Sequence, residues 1–232
     1  MRMGDISMAT TDSMDRDTDK GARPEVPVWD PLVRVGHWLL VAGFAAAYLS
    51  EGEPTWFHSW AGYLVAAIVV VRTLWGFVGP RRARFSDFVG APRAALGYLG
   101  RLVSGRSERH LGHSPAGGLM VVVLLLCLGA TALSGMATLA VEEGEGPLAP
   151  LLAQEATLSL PAPIASARAD EDEEGEGYER GGESSEAFEE IHEFLANLTL
   201  VLVLLHVGGV IVASVAHREN LVRAMVTGRK RR

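Results

Sequence analysis

IHEFLANLTLVLVLLHVGGVIVASVAH, residues 191–217, is almost wholly apolar, yet it carries His192 near its start and His206 in its middle. Read as a helix, the fourteen residues between them correspond to ~21 Å along the axis at about 1.5 Å per residue. Fourteen steps of about 100° fall only ~40° short of four full turns, so both rings lie on one face. An imidazole in a lipid-spanning helix is costly and faces a bundle interior or a cavity. Two on one face, one shallow and one deep, predict two sites stacked across a membrane. Their partners must come from the rest of the chain.

Three further apolar blocks supply them. Residues 31–50 (PLVRVGHWLLVAGFAAAYLS) carry Arg34, His37 and Trp38 at their beginning, and residues 58–79 open on His58 and contain Arg72 fourteen positions later. Residues 116–140 have no histidine. Each block is about the ~20 residues that a bilayer requires. The expected fold class is therefore all-α, a transmembrane four-helix bundle with spans at 31–50, 58–79, 116–140 and 191–217. Composition agrees: 48% hydrophobic beside 21% charged residues over 232 positions means long apolar blocks separated by charged ones. No segment outside the spans is long enough to bury a core of its own, which excludes a soluble catalytic domain. The single Cys127 lies inside an apolar run, reads as a packing residue, and leaves no CxxCH motif for covalent haem attachment.

The loops orient the bundle. Residues 79–115 hold seven arginines (81, 82, 84, 93, 101, 106, 109) against Asp87 and Glu108, and the chain ends Gly-Arg-Lys-Arg-Arg. The segment 141–188 instead has thirteen acids and two arginines. The net charge of −7 hides this segregation. By the positive-inside rule the basic segments and both termini are cytoplasmic. Residues 1–27 read as a disordered cytoplasmic tail, 28–217 as the four-span domain, 141–188 as an acidic external loop, and 218–232 as a basic cytoplasmic tail. The run 169–190 (ADEDEEGEGYERGGESSEAFEE) reads as solvated and disordered, or else as a docking patch for a basic redox partner. No cleavable signal is expected, and the first span would act as its own insertion signal. In the cytoplasmic loop, APRAALGYLGRLV (91–103) predicts a short interfacial helix with Leu96, Leu99, Leu102 and Val103 at helical spacing.

That orientation fixes depths. His37 and His206 fall near the cytoplasmic level, and His58 and His192 near the outer edge, so two cross-helix pairs are predicted: His37 with His206, and His58 with His192. Facing imidazoles on different helices of an apolar bundle suit the two axial positions of a haem iron. Arg72 and Arg34 reach the inner level, where anionic propionates need a cation. Zinc fits less well, because two histidines per level leave a tetrahedron incomplete. Taken singly, His58 and His192 fit interfacial hydrogen bonding and His37 beside Trp38 fits an aromatic belt, whereas the mid-span His206 resists any such reading. His217 reads as solvated where the helix exits, and His110 and His113 as loop packing, with quinone-headgroup binding or proton transfer as the lesser option. Trp56, Trp60 and Trp75 read as interface anchors. Glycines 43, 62, 129, 135, 208 and 209 fit close helix contacts, or admission of a porphyrin edge.

Arg34-Val-Gly-His37-Trp38, His58-Ser-Trp-Ala-Gly62, Arg72-Thr-Leu-Trp-Gly-Phe-Val-Gly79 and the His192…His206 pair resemble the prokaryotic cytochrome b-561 family over residues 28–140 and 188–230. HRENLVRAMVTGRKR (217–231) and LGHSPAGG (111–118) resemble its cytochrome b/b6-domain, hydrogenase-type branch. The resemblance implies a four-helix membrane bundle holding two non-covalent haem b groups, with His37, His58, His192 and His206 as bis-histidine axial ligands. It implies electron transfer in a bacterial inner membrane, with quinone or quinol as substrate. The implied redox partner is a periplasmic c-type cytochrome or a dehydrogenase or hydrogenase subunit; a homodimer stays open and nucleic acid is not expected. The chain then reads as an electron-transfer protein or oxidoreductase subunit rather than a stand-alone enzyme. The departures from the family pattern are the polar N-terminal segment and the long acidic loop. A haem-free transporter or assembly scaffold, using the histidines for protons or metal, is the alternative, and haem content separates the two.

Overall fold

The computed structural model describes residues 25–152 and 176–231, the side chains of Val103 and of 176–184 excepted. The expectations for residues 1–24 and 153–175 lie outside these. Four long helices dominate: α1 (Pro31–Leu49), α2 (Thr55–Val78), and, after shorter α3 (Phe85–Phe88) and α4 (Pro92–Val103), α5 (Pro115–Glu142) and α6 (Glu176–Ala216). All four are long and apolar enough to cross a membrane. A short α7 (Leu221–Thr227) follows, and β1 (Glu25–Pro27) pairs antiparallel with β2 (Arg229–Arg231).

The helix starts follow from local chemistry. Asp30 accepts hydrogen bonds from the Leu32 and Val33 amides at 2.8 and 3.3 Å ahead of Pro31, and Ser114 accepts from the Gly117 amide at 3.1 Å ahead of Pro115. Each cap satisfies amides that a first turn leaves without partners, and proline there loses no helical hydrogen bond. Helix α1 stops where Glu51 and Gly52 take positive φ (50° and 86°).

Helix α6 departs from expectation. It starts at Glu176 rather than near 191, so part of the acidic run expected to be solvated and irregular is helical. No proline follows Pro163, so nothing stops the apolar span from propagating toward its N-terminus, and carboxylates there complement the helix dipole. At 41 residues the helix is about 60 Å long, twice a hydrocarbon core of about 30 Å. Its first turns extend past the span, where Ser185 donates a hydrogen bond to Glu142 at the end of α5 (3.1 Å).

The bundle is a chain of neighbours: α1 packs on α2, α2 on α5, and α5 on α6. Val65 and Val69 of α2 meet Leu128 of α5, flanked by Leu40, Phe44 and Leu125. The α5–α6 seam is polar at its centre, where Thr199 is fully buried, 3.1 Å from both Thr131 Oγ1 and Cys127 Sγ. Helices α1 and α6 are not among the closely packed pairs. A slot is left between them, crossed by side chains such as Tyr48, which donates to Asn197 at 2.8 Å.

The two flanks are not free tails over their described residues. The Val28 and Trp29 amides donate to the Gly228 carbonyl at 2.8 and 3.1 Å, extending the β1–β2 register. Arg109 pairs with Glu219 at 3.0 Å, and the buried Lys230 reaches the His110 carbonyl at 3.4 Å. Arg82 donates to the Pro27 carbonyl at 2.6 Å. These contacts build a cap over one end of the bundle, here called the capped end. Within it, the His113 ring packs between Trp29, edge-on, and Phe88, with ring centres 4.6 and 4.2 Å away. Helix α3 is seated by two glycines: a Cβ on Gly76 would lie 2.1 Å from the Phe85 ring, and one on Gly118 2.5 Å from the Phe88 carbonyl oxygen. Helix α4 lies where expected, but it buries Ala95, Tyr98 and Leu102 while Leu96 and Leu99 are exposed. His217 is less solvated than its sequence position suggests: it is half-buried, with Nε2 3.2 Å from Tyr98 Oη and 3.4 Å from Ser107 Oγ.

Candidate functional site

The four candidate histidines come together as two pairs. His37 of α1 and His206 of α6 have ring centres 6.4 Å apart near the capped end, and His58 of α2 and His192 of α6 have theirs 6.0 Å apart toward the open end. Two imidazoles on one metal ion, each bonded at about 2 Å with a further ~1 Å from nitrogen to ring centre, have centres about 6 Å apart. Both pairs match that spacing. Among the described residues no group of three or more His, Cys, Asp or Glu side chains is placed to hold a metal. Each level therefore brings together two imidazoles and no further protein metal donor among the described residues.

The open-end pair is set up by backbone carbonyls. His58 Nδ1 lies 3.0 Å from the Ala47 carbonyl oxygen of α1, and His192 Nδ1 lies 3.0 Å from the Thr131 carbonyl oxygen of α5. A carbonyl only accepts, so each Nδ1 carries the proton and donates, and each Nε2 keeps its lone pair for a metal. Beside this pair is a cleft lined by apolar side chains including Phe44, Val65 and Leu128. Gly62 lines it too, with nothing within 4 Å of where its Cβ would be. Gly135 acts differently: a Cβ there would sit 2.7 Å from His192 Cε1, so its absence admits the imidazole.

The capped-end pair lies among polar atoms that lack partners. Arg34 Nε, His37 Nδ1, Arg72 Nη1 and Trp75 Nε1 are all buried without a hydrogen-bond partner. Arg72 is itself buried and lies 5.2 Å over the Phe85 ring. Arg34 spends one amino group on the Val226 carbonyl. Leaving such donors unmet costs about 1–3 kcal/mol each and more for charged groups, so this end is shaped for an acceptor that is anionic. Trp75, expected only to anchor the interface, belongs to this set. It is three residues after Arg72, on the same face of α2, and that spacing was the one signal in the sequence that pointed to it. In the adjoining cap, burial first, then the nearby Arg72 and Lys230 charges, push the His113 imidazole down to about 3. Burial likewise lowers the Lys230 ammonium.

The residues fit a haem on these observations: paired imidazoles at the through-metal spacing, an apolar slot, and buried cationic donors at one end. A family model described as prokaryotic cytochrome b561 matches residues 28–228. No curated protein and no solved structure matches the chain.

Proposed function

The chain belongs to the prokaryotic cytochrome b561 family, and from that premise we propose a di-haem protein that carries electrons from one side of the membrane to the other. As a member of that family it is an integral-membrane b-type cytochrome with a role in electron transfer. The proposal adds which residues hold what. His37 and His206 would hold the iron of one haem b, and His58 and His192 that of a second. Arg34, Arg72 and the Trp75 N–H would hold the carboxylates of the first. The observation that carries this reading is the pairing of four histidines at two levels, 6.4 and 6.0 Å between ring centres.

Bound haem iron supplies one-electron oxidation and reduction. The chain's own residues do the rest. The imidazoles fix the iron's spin and position, the apolar slot excludes water, and the arginines at the capped end offset carboxylate charge in a low-dielectric setting. The seven arginines between α2 and α5 and the basic C-terminus support a capped end on the cytoplasmic side of a bacterial inner membrane. Electrons then pass between the quinone pool and a redox protein outside, either a c-type cytochrome or a dehydrogenase or hydrogenase subunit. The basic cytoplasmic flanks and acidic far loop support that orientation.

The test is a reduced-minus-oxidised visible spectrum of purified protein with haem counted by pyridine haemochrome. Two low-spin haems per chain are expected, and His206→Ala is expected to retain one. Wild-type protein with a single haem, or a His206→Ala variant that keeps both, overturns the ligand assignment.

A further inference from the structure

We propose that Ser50 and Ser134 are positioning residues for the outer haem, each locking one axial imidazole through a hydroxyl–carbonyl pair on the neighbouring helix. The inference rests on the reading of His58 and His192 as axial ligands and deepens it.

The same construction occurs twice, on different helices. Ser50 Oγ donates to the Ala47 carbonyl at 2.8 Å, and His58 Nδ1 lies 3.0 Å from that carbonyl and 3.1 Å from Ser50 Oγ. Ser134 Oγ donates to the Thr131 carbonyl at 2.9 Å, and His192 Nδ1 lies 3.0 Å from that carbonyl and 3.1 Å from Ser134 Oγ. Each serine follows its carbonyl by three residues, one helical turn, which sets hydroxyl and carbonyl side by side.

A serine bonding back to its own helix is common in apolar helices, and Thr138 does the same to the Ser134 carbonyl at 3.1 Å. What distinguishes Ser50 and Ser134 is the third partner. Their single O–H is spent on the carbonyl, so only lone pairs face the imidazole. The Nδ1–H thus meets two acceptors at once. Turning the ring over would put a C–H against both of them, so tautomer and orientation are fixed together.

The two cradles differ in their source of charge. Glu51 N turns to the Tyr48 carbonyl at 3.4 Å, and Ser50 N to the Ala46 carbonyl at 3.1 Å. The Ala47 carbonyl thus stands among the last of α1, at the negative end of its dipole. The Thr131 carbonyl lies inside α5, and the ring reaches it because residue 135 is glycine. At the other level His37 Nδ1 is buried with no partner among the described residues, so His37 has no such cradle.

Accepting a ligand's N–H makes the imidazole more basic, which favours the oxidised iron and lowers its potential. Potentiometric titration of the holoprotein reads this, with the outer haem identified in a His206→Ala background. Ser50→Ala and Ser134→Ala are each expected to keep two haems per chain. Each should raise the outer midpoint while the inner one stays put, and the double variant should raise it further. Ser50→Thr, which keeps a hydroxyl, should return it to the wild-type value. An outer midpoint that is unmoved, or moves down, or moves together with the inner one overturns the proposal while the ligand assignment stands. A His58→Ala protein that still holds two haems overturns the ligand assignment instead. If Ser134→Ala, which is buried, fails to accumulate, Ser50→Ala at the half-buried end of α1 carries the test alone.

Discussion

At the scale of single residues, one missing carbon matters as much as a ligand. A methyl group at residue 135 would lie 2.7 Å from His192 Cε1 and 3.1 Å from its Nδ1, closer than packed atoms tolerate. Gly135→Ala must therefore displace the ring, at an overpacking cost of about 1–3 kcal/mol. A four-span bundle absorbs such a cost without unfolding, so the expected outcome is a folded membrane protein whose haem content falls from two to one per chain. Pyridine haemochrome measures it, and the remaining haem should be the one lost in His206→Ala. In the sequence Gly135 was one small residue among six that could ease a helix contact. Only the approach of His192, 57 positions later in the chain, separates it from the others.

At the scale of elements, the cap is where the fold is sensitive to acid. His113 is held between Trp29 of the N-terminal flank and Phe88 of α3, and burial pushes its imidazole down to about 3. Its ordinary value is 6.5, so between pH 6.5 and 3 the unfolded chain binds a proton that the folded chain refuses. Stability from this residue is complete above pH 6.5 and is lost as pH falls toward 3, about 5 kcal/mol at most. His113→Phe keeps an aromatic ring between Trp29 and Phe88 and removes the titration. Melting in detergent across pH 7 to 4 should show the variant losing less stability than the wild type on the acid side, with parallel curves counting against this role. The sequence placed His113 in the cytoplasmic loop as a packing residue. Its ring neighbours come from two separate segments, the N-terminal flank and α3, and no local pattern announces them.

At the scale of the whole molecule, charge and length decide the arrangement in the membrane. Arginines crowd the loops at the capped end, and glutamates crowd the C-terminal end of α5 and the start of α6. A reporter active only in the cytoplasm, fused after Arg232, is expected to be active, and the same reporter inserted between residues 152 and 176 is expected to be silent. The reverse pattern would invert the orientation and exchange the inner and outer assignments of both pairs.

The number of spans and the levels of the four histidines were legible because both are local properties. Twenty apolar residues must cross a bilayer whatever surrounds them, and fourteen residues in a helix must return to the same face. Orientation by arginine count then matched His37 with His206 and His58 with His192 by depth, and these are the rings found side by side. The tertiary structure alone decided what surrounds them. The clasp of β1 on β2, the Trp75 N–H among the unmet donors and the serine cradles each depend on segments far apart in the chain. His192 lies 61 residues from Thr131, and Glu25 pairs with Arg231 across nearly the whole length. Periodicity and hydropathy report on one helix at a time. Hydrogen bonds between helices exist only once the bundle has closed.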